Sequence, residues 1–374
     1  MKIVFLTDIH VGNPRISLPR LLNSLRKYAY PEIETAQILL LGGDFFDNML
    51  NLNSDAGLTA IFIVDELIEL AVKNNIYVRV LRGTFSHDRY QNRVFTERAK
   101  NIPLFNNIPL IRIVDKIEVE RFSPYGIDIL FCPDDQPYED VTQAILDVLD
   151  NNNLSAVDYF CCHGYWDYLV PATMTRPHNC LDYDRLESKI RYQVFNGHVH
   201  SPGVWKKVIS GGSFERFCHG EEEDKGFYVV NYDADTHTSV PRFVRNKEAM
   251  PFITVDLSLH PSTNEVMDYL ERRVNQACVY TDEDDRIMHI RLLGDGSAVM
   301  PLMKEKYPHA IFTEKHLTEA RKEDMMYKTD ITRDLPMITV SNLPELIYTN
   351  VRPAYPEITI DRIKEILDGG TSDT

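Results

Sequence analysis

Over its first two thirds the chain alternates short apolar runs with longer amphipathic stretches. Lys2–Thr7, Gln37–Leu41, Ile76–Arg82, Ile127–Phe131, Val157–Cys161 and Tyr192–Phe195 read as strands. Several are unbroken apolar runs, the pattern of strands covered on both faces. Between them the spacing is helical, most clearly over Asp55–Lys73. There Leu58, Ile61, Phe62, Leu67, Ile68 and Ala71 recur on one face, and Ser54 or Asp55 caps the start. Val204–Ile209, Phe227–Asn231 and Val240–Val244 read as meandering antiparallel strands. These elements predict an α/β architecture of two packed sheets flanked by helices, over residues 1–248.

The pattern changes around Asn246–Pro251. Phe252–Leu257 reads as a strand, Ser262–Ala277 as a helix, Met288–Leu293 as a strand and Ala298–Lys306 as a short helix. Residues 249–341 are therefore expected to form a small α+β domain. Residues 342–374 are expected to be a tail with one short amphipathic helix. Thr359 would cap it, and Ile360, Ile363, Ile366 and Leu367 would share a face.

Composition narrows the setting. A length of 374 residues suffices for two cores, and 44% hydrophobic with 26% charged residues suits a soluble globular protein. The apolar start, Met1–Leu6, is broken at once by Asp8 and His10. It is too short for a signal peptide, and no run is long enough for a membrane span. Six cysteines without CxxC spacing read as free thiols in a reducing compartment. A cytoplasmic protein is expected. The net charge of −16 opposes generic nucleic-acid binding. Any DNA-binding surface must therefore be local, or come from a basic partner.

Five segments carry the chemistry: Asp8-Ile9-His10, Gly43-Asp44-Phe45-Phe46-Asp47, Ser86-His87-Asp88, His163-Gly164 and Gly197-His198-Val199-His200. Each follows a strand candidate, where sites of layered α/β proteins gather. A lone histidine is usually a packed or solvated residue, which is the reading for His178, His219, His237, His260, His289, His309 and His316. The ordered set of five is different. Carboxylates and imidazoles in this order suit a pair of divalent cations, with Mn preferred and Mg, Fe or Zn as alternatives. Asp44 suits a bridging position. His87 suits a cation or proton donor at the phosphate or the leaving oxygen, oriented by Asp88, and Asp47 suits a place behind the ligands. Tyr165 and Trp166 read either as base-stacking residues or as ordinary packing. Arg89 and Arg93 read either as DNA phosphate contacts or as a solvated helix face, and Lys206 and Lys207 are similar.

The set resembles the signature of the calcineurin-like metallophosphoesterases: DxH, GDxxD, GNH(D/E), a lone His, then GHxH. Gly211-Gly212-Ser213-Phe214-Glu215-Arg216 and Gly220-Glu221-Glu222-Glu223-Asp224-Lys225-Gly226-Phe227 add a resemblance to the SbcD-type DNA-repair nuclease subunits, in a phage-like branch. The resemblance implies a two-sheet metallophosphoesterase sandwich followed by a small α+β capping domain. It implies one metal on Asp8, His10, Asp44 and His200, and a second on Asp44, His163, His198 and the motif's asparagine. This chain reads Arg82-Gly83-Thr84-Phe85-Ser86-His87-Asp88, so Ser86 is taken to stand at that asparagine. The implied activity is exonuclease and endonuclease cleavage of DNA in a homodimer partnered by an SbcC-like ATPase. The competing readings are a small-molecule or protein phosphoesterase of the same superfamily, and a non-catalytic scaffold.

Overall fold

The computed structural model describes residues 1–169, 180–260, 262–277 and 287–315, with Thr359, Ile360, Ile363 and Lys364. Four parallel strands, β1 (Lys2–Leu6), β2 (Ile38–Leu41), β3 (Tyr77–Leu81) and β4 (Ile111–Val114), begin one sheet. β5 (Glu118–Phe122) starts the second, antiparallel to β6 (Ile127–Cys132). Next come β7 (Val157–His163) and β8 (Ile190–Gly197), parallel to β6. A hairpin, β9 (Gly203–Trp205) and β10 (Val208–Ser210), completes that sheet. β11 (Gly226–Asp233) and β12 (Thr238–Arg245) return to the first sheet beside β1. The strand orders are β12-β11-β1-β2-β3-β4 and β5-β6-β7-β8-β10-β9.

The apolar runs explain the layering. Every residue of β2 is buried, as are Ile3 to Leu6 of β1. The two sheets share one core, with the Phe5 and Phe195 rings 5.2 Å apart between them. Each such side chain contributes roughly 1.5–3 kcal/mol by leaving water. β4 and β5 were not expected from the sequence, because their charged residues break the apolar pattern. Arg79, fully buried in β3, explains them: its Nε–H donates to Glu120 of β5 at 2.6 Å. A buried cation requires such a partner, and this pair ties the first sheet to the second.

The helix expected from Asp55 runs Asp55–Asn74, and Ser54 is its cap, accepting the Gly57 N–H at 3.2 Å. Its buried face is Ala60, Ile63, Val64, Leu67, Ile68 and Ala71. Leu58 and Phe62 were expected on that face but lie 56% and 48% exposed. They sit to one side of the buried stripe. The single strand expected over Val204–Ile209 is instead the β9–β10 hairpin, turned by Lys206 in left-handed backbone (φ 50°).

A third sheet holds three parallel strands, β13 (Phe252–Asp256), β14 (Met288–Leu293) and β15 (Ala310–Lys315). The helices Thr263–Ala277 and Met300–Lys306 supply Leu270 and Met303 to a separate core with Val255, Ile290 and Leu292. β15 was not anticipated. The chain divides into two units, Met1–Asp330 and Ile331–Thr374. In the second unit the Ile363 N–H donates to the Thr359 carbonyl at 3.2 Å, one helical turn. The remainder of the expected tail helix lies outside the described residues. Among the described residues, no helix is long and apolar enough to cross a membrane.

Candidate metal centre

The parallel strands end at one edge of the sandwich, and the loops that follow run against each other there. The Asp8 N–H donates to the Gly43 carbonyl at 3.0 Å, and the His10 N–H to the Asp44 carbonyl at 3.1 Å. Asp8, His10, Asp44 and His198 all have left-handed backbone, with φ of 50°, 50°, 47° and 76°. That conformation costs an L-residue on the order of 1–2 kcal/mol. Such strain concentrates at functional sites. Glycine lets the loops close. A Cβ on Gly43 (φ 100°) would lie 2.2 Å from His163 Nδ1, and one on Gly83 would lie 2.1 Å from the Asp44 nitrogen.

Two groups of donor atoms result. In each, the atoms lie within 4.8 Å of one another. The first joins Asp8, His10 and His200; His200 Nε2 is 3.2 Å from His10 Nε2 and 3.7 Å from Asp8 Oδ1. The second joins Asp44, His163 and His198, with His163 Nε2 3.4 Å from Asp44 Oδ2. Asp8 links them, its carboxylate accepting the His198 N–H at 3.1 Å. A third group, His10, Asp47 and His87, adjoins the first through His10. His87 packs edge-on to His10 with ring centroids 4.7 Å apart.

Neighbouring groups fix the rings. His163 Nδ1–H donates to the Gly42 carbonyl at 2.8 Å, and His87 Nδ1–H to the Asp47 carbonyl at 2.5 Å. His200 Nδ1 faces Glu221 Oε1 at 3.0 Å. Glu221 also accepts the Phe217 N–H at 3.0 Å, and the fully buried Lys225 ammonium lies 3.4 Å away. Asp88 does not touch the His87 ring as expected. Its two oxygens accept the Phe46 and Gly83 N–H groups at 3.0 and 2.8 Å, bracing one loop against the other. Asp47 accepts from the Asn13 amide at 2.8 Å and lies 3.4 Å from His10 Nδ1.

Ser86 is exposed, and the residue of this loop that meets the second group is Thr84. Its N–H donates to Asp44 Oδ1 at 2.6 Å and its hydroxyl to Oδ2 at 3.3 Å. The same hydroxyl lies 3.5 Å from both His163 Nε2 and His198 Nδ1. The reason is a tight turn: the His87 and Asp88 N–H groups both reach the Thr84 carbonyl at 3.0 Å. The turn folds Phe85 and Ser86 away, so the residue directly after Gly83 faces the centre. Of the two readings of Trp166, ordinary packing is the one the structure bears out: it is fully buried, its Nε1–H donating to Asn196 at 3.1 Å. Tyr165 lies edge-on to His198 at 4.3 Å. Arg89 and Arg93 are exposed. Lys207 is engaged by the Glu187 and Ile190 carbonyls.

Burial and charge act against each other throughout. Burial opposes ionisation of Asp44, but His163 outweighs it and, with His10 and His87, holds the carboxyl far below its usual range. Burial likewise opposes charge on His163, yet Asp44 raises it well above the ordinary histidine value. Burial and the adjacent His163 push His198 down to about 4. His200 is lowered by burial but carried up to about 9 by Glu221. Burial, then Asp44, lifts Asp88 to about 6. His10 Nδ1 and His198 Nε2 are buried with no hydrogen-bond partner. The unpartnered His198 Nε2, in a ring beside the buried Asp44 carboxylate, fits a divalent cation, which takes neutral imidazole and ionised carboxylate.

Two sheets with these donors at the strand ends are the arrangement of a metal-dependent hydrolase. The chain belongs to the calcineurin-like phosphoesterase family, whose model matches residues 1–239, and this family uses divalent metals. The DNA double-strand break repair protein Mre11 of Halobacterium salinarum is 25% identical over 120 residues, 30% of this chain and 29% of that protein. The chain thus spans under a third of the curated relative it matches. One solved chain aligns with 65% of this chain and 98% of its own length, at 12% identity and a TM-score of 0.36. A glutamine-dependent NAD+ synthetase from Acinetobacter baumannii, in complex with ADP, aligns with 94% of this chain and 72% of its own. Its identity is 9% and its TM-score 0.26.

Two residues that contact the donor groups, Thr84 and Glu221, are not singled out as such by the sequence. The signal for Thr84 is its place directly after Gly83. Glu221 lies in the acidic stretch that follows GHVH, but nothing local to the sequence points it at His200.

Proposed function

We propose that this chain is a metal-dependent DNA nuclease hydrolysing phosphodiester bonds, the nuclease subunit of an SbcCD-like repair complex. The convergence of Asp8, His10, Asp44, His163, His198 and His200 into two adjoining donor groups carries the reading. The partial similarity to a double-strand break repair protein supports DNA as the substrate.

Asp8, His10 and His200 would hold one cation, and His163, His198 and the Thr84 oxygen would hold the other. Asp44 serves both. When bound, such a pair supplies Lewis acidity and a lowered pKa for a reacting water at phosphorus. Mn2+ suits the mixed oxygen and nitrogen donors, and Mg2+, Fe2+ or Zn2+ are the other candidates. The chain's own residues do the rest. Glu221 holds the His200 ring, and the Gly42 carbonyl holds His163, so that each presents Nε2 inward. His87, fixed through Nδ1–H on the Asp47 carbonyl, offers Nε2 to protonate the leaving oxygen. Asp88 keeps the His87 loop in register with Asp44. The exposed Leu58 and Phe62, one turn apart on their helix, support a homodimer, and an SbcC-like ATPase is the expected partner in the cytoplasm.

The test is purified full chain with Mn2+, offered linear duplex DNA and bis-p-nitrophenyl phosphate. Cleavage of both is expected. Hydrolysis of the small diester with no DNA cleavage, with or without an ATPase partner, would replace this reading with a small-molecule phosphoesterase. Fewer than one bound Mn2+ per chain at saturation would favour a scaffold.

A further inference from the structure

The loop that carries Thr84 and His87 has a second face. Beyond it lies a pocket of about 370 Å³ lined by Arg82, Arg89, Arg93 and Arg112, with Glu97 and Asp115. In a chain of net charge −16, guanidinium groups have an excess of carboxylates to choose from. Many use them, as in Arg26–Glu66, Arg98–Asp65, Arg185–Asp140 and Arg191–Asp158. Arg112 is likewise tied to Glu118 and Glu120. Among the described residues, Arg82, Arg89 and Arg93 form no ion pair. Arg82 donates through Nη2 to the Asp134 carbonyl at 3.0 Å, while its Nε is buried with no hydrogen-bond partner. Arg93 lies 5.0 Å over the Tyr90 ring. Arg89 has left-handed backbone (φ 45°), a costly way to place a surface residue.

These arginines bracket the reacting loop. Arg82 precedes Thr84 by two residues, and Arg89 follows His87 by two. Two residues span at most about 7 Å. One nucleotide step along a strand rises about 3.4 Å. The pocket therefore adjoins the loop that carries Thr84 and His87. Three arginines free of ion pairs, against two lining carboxylates, suit one phosphate rather than a run of them. The guanidinium fork matches phosphate oxygens two at a time.

We propose that this pocket is a second phosphate site. It holds the phosphodiester one or two nucleotides from the bond being cut, and it makes a polynucleotide a better substrate than a small diester. The inference rests on the nuclease reading above.

The experiment uses full chain with Mn2+ and a series of oligothymidylates. The shortest is a dinucleoside monophosphate, whose single phosphate is the scissile one; the longer members add flanking phosphates. For wild type, kcat/KM is expected to rise at least ten-fold when the flanking phosphates appear. In Arg89→Ala/Arg93→Ala that step disappears, and in Arg89→Lys/Arg93→Lys part of it returns. The slope of log kcat/KM against log salt falls by about 0.7 for each phosphate that the variant no longer neutralises. Both side chains are exposed, and equal melting temperatures of variant and wild type establish that the variant is folded. The proposal is overturned if the step persists in the alanine variant, or if that variant loses the same factor on every substrate. If wild type cleaves bis-p-nitrophenyl phosphate but no oligonucleotide, the nuclease reading itself fails, and this inference with it.

Discussion

Thr84 grips both oxygens of Asp44, the amide at 2.6 Å and the hydroxyl at 3.3 Å. The hydroxyl is the group that meets the second donor cluster. Thr84→Val keeps the shape and deletes that oxygen. We expect the affinity of the second Mn2+ to fall about ten-fold or more, with the first little changed. Thr84→Asn offers an amide carbonyl instead and should tighten the second ion. Ser86→Ala should leave both unchanged. Calorimetric Mn2+ titration of the three variants decides, and an effect of Ser86→Ala equal to that of Thr84→Val would reverse the assignment.

Glu221 would act on the other cation through His200. Glu221→Gln keeps an acceptor for the Phe217 N–H but removes the charge beside the imidazole. Loss of such a partner typically costs 10–100-fold in metal affinity. The expected result is a Mn2+ activation curve displaced to higher concentration by that factor, with full activity recovered at saturating metal.

His87 and Asp44 separate proton transfer from metal binding. His87→Ala is expected to lower kcat by about 10²–10⁴-fold while Mn2+ stoichiometry stays at two. Asp44→Ala is expected to abolish activity and bind fewer ions. Chelation should silence wild type, and restored Mn2+ should revive it. Retained stoichiometry in Asp44→Ala would show that the carboxylate is not shared.

Glu215 gives a pH dependence remote from the metal donors. Burial raises its carboxyl from an ordinary 4.5 to about 7, against the pull of the Met250 N–H and Arg20. The folded state therefore holds a proton that the unfolded state has already lost between those values. This contribution to stability is fully present below pH 4.5 and is lost as pH rises through 7. Its full size is about 3 kcal/mol. Urea midpoints at pH 4.5, 5.5 and 7, wild type against Glu215→Gln, should diverge by part of that amount. Parallel pH profiles would refute it.

The sequence made the architecture legible where apolar runs were unbroken, as in Ile38–Leu41, or where helical spacing was long, as in Asp55–Asn74. β4 and β5 escaped because Arg112, Glu118 and Glu120 satisfy one another only after the sheets form. Leu58 and Phe62 look like core residues in a helical pattern, and only the packed neighbours decide which edge of the stripe is covered. The donor residues were legible as a set because their order survives folding. The exchange of Ser86 for Thr84 was not, since it depends on a turn closed by two N–H groups on one carbonyl. Glu221 and Lys225 stand in a motif-like stretch, but their role is set by an interaction reaching back across 21 residues to His200.

The left-handed kinks at Asp8, His10, Asp44 and His198 set robustness against usefulness. Glycine at any of them relaxes the backbone and deletes a donor in the same stroke. A laboratory selection for heat resistance alone would be drawn to these four positions, and its hardiest survivors would be inert.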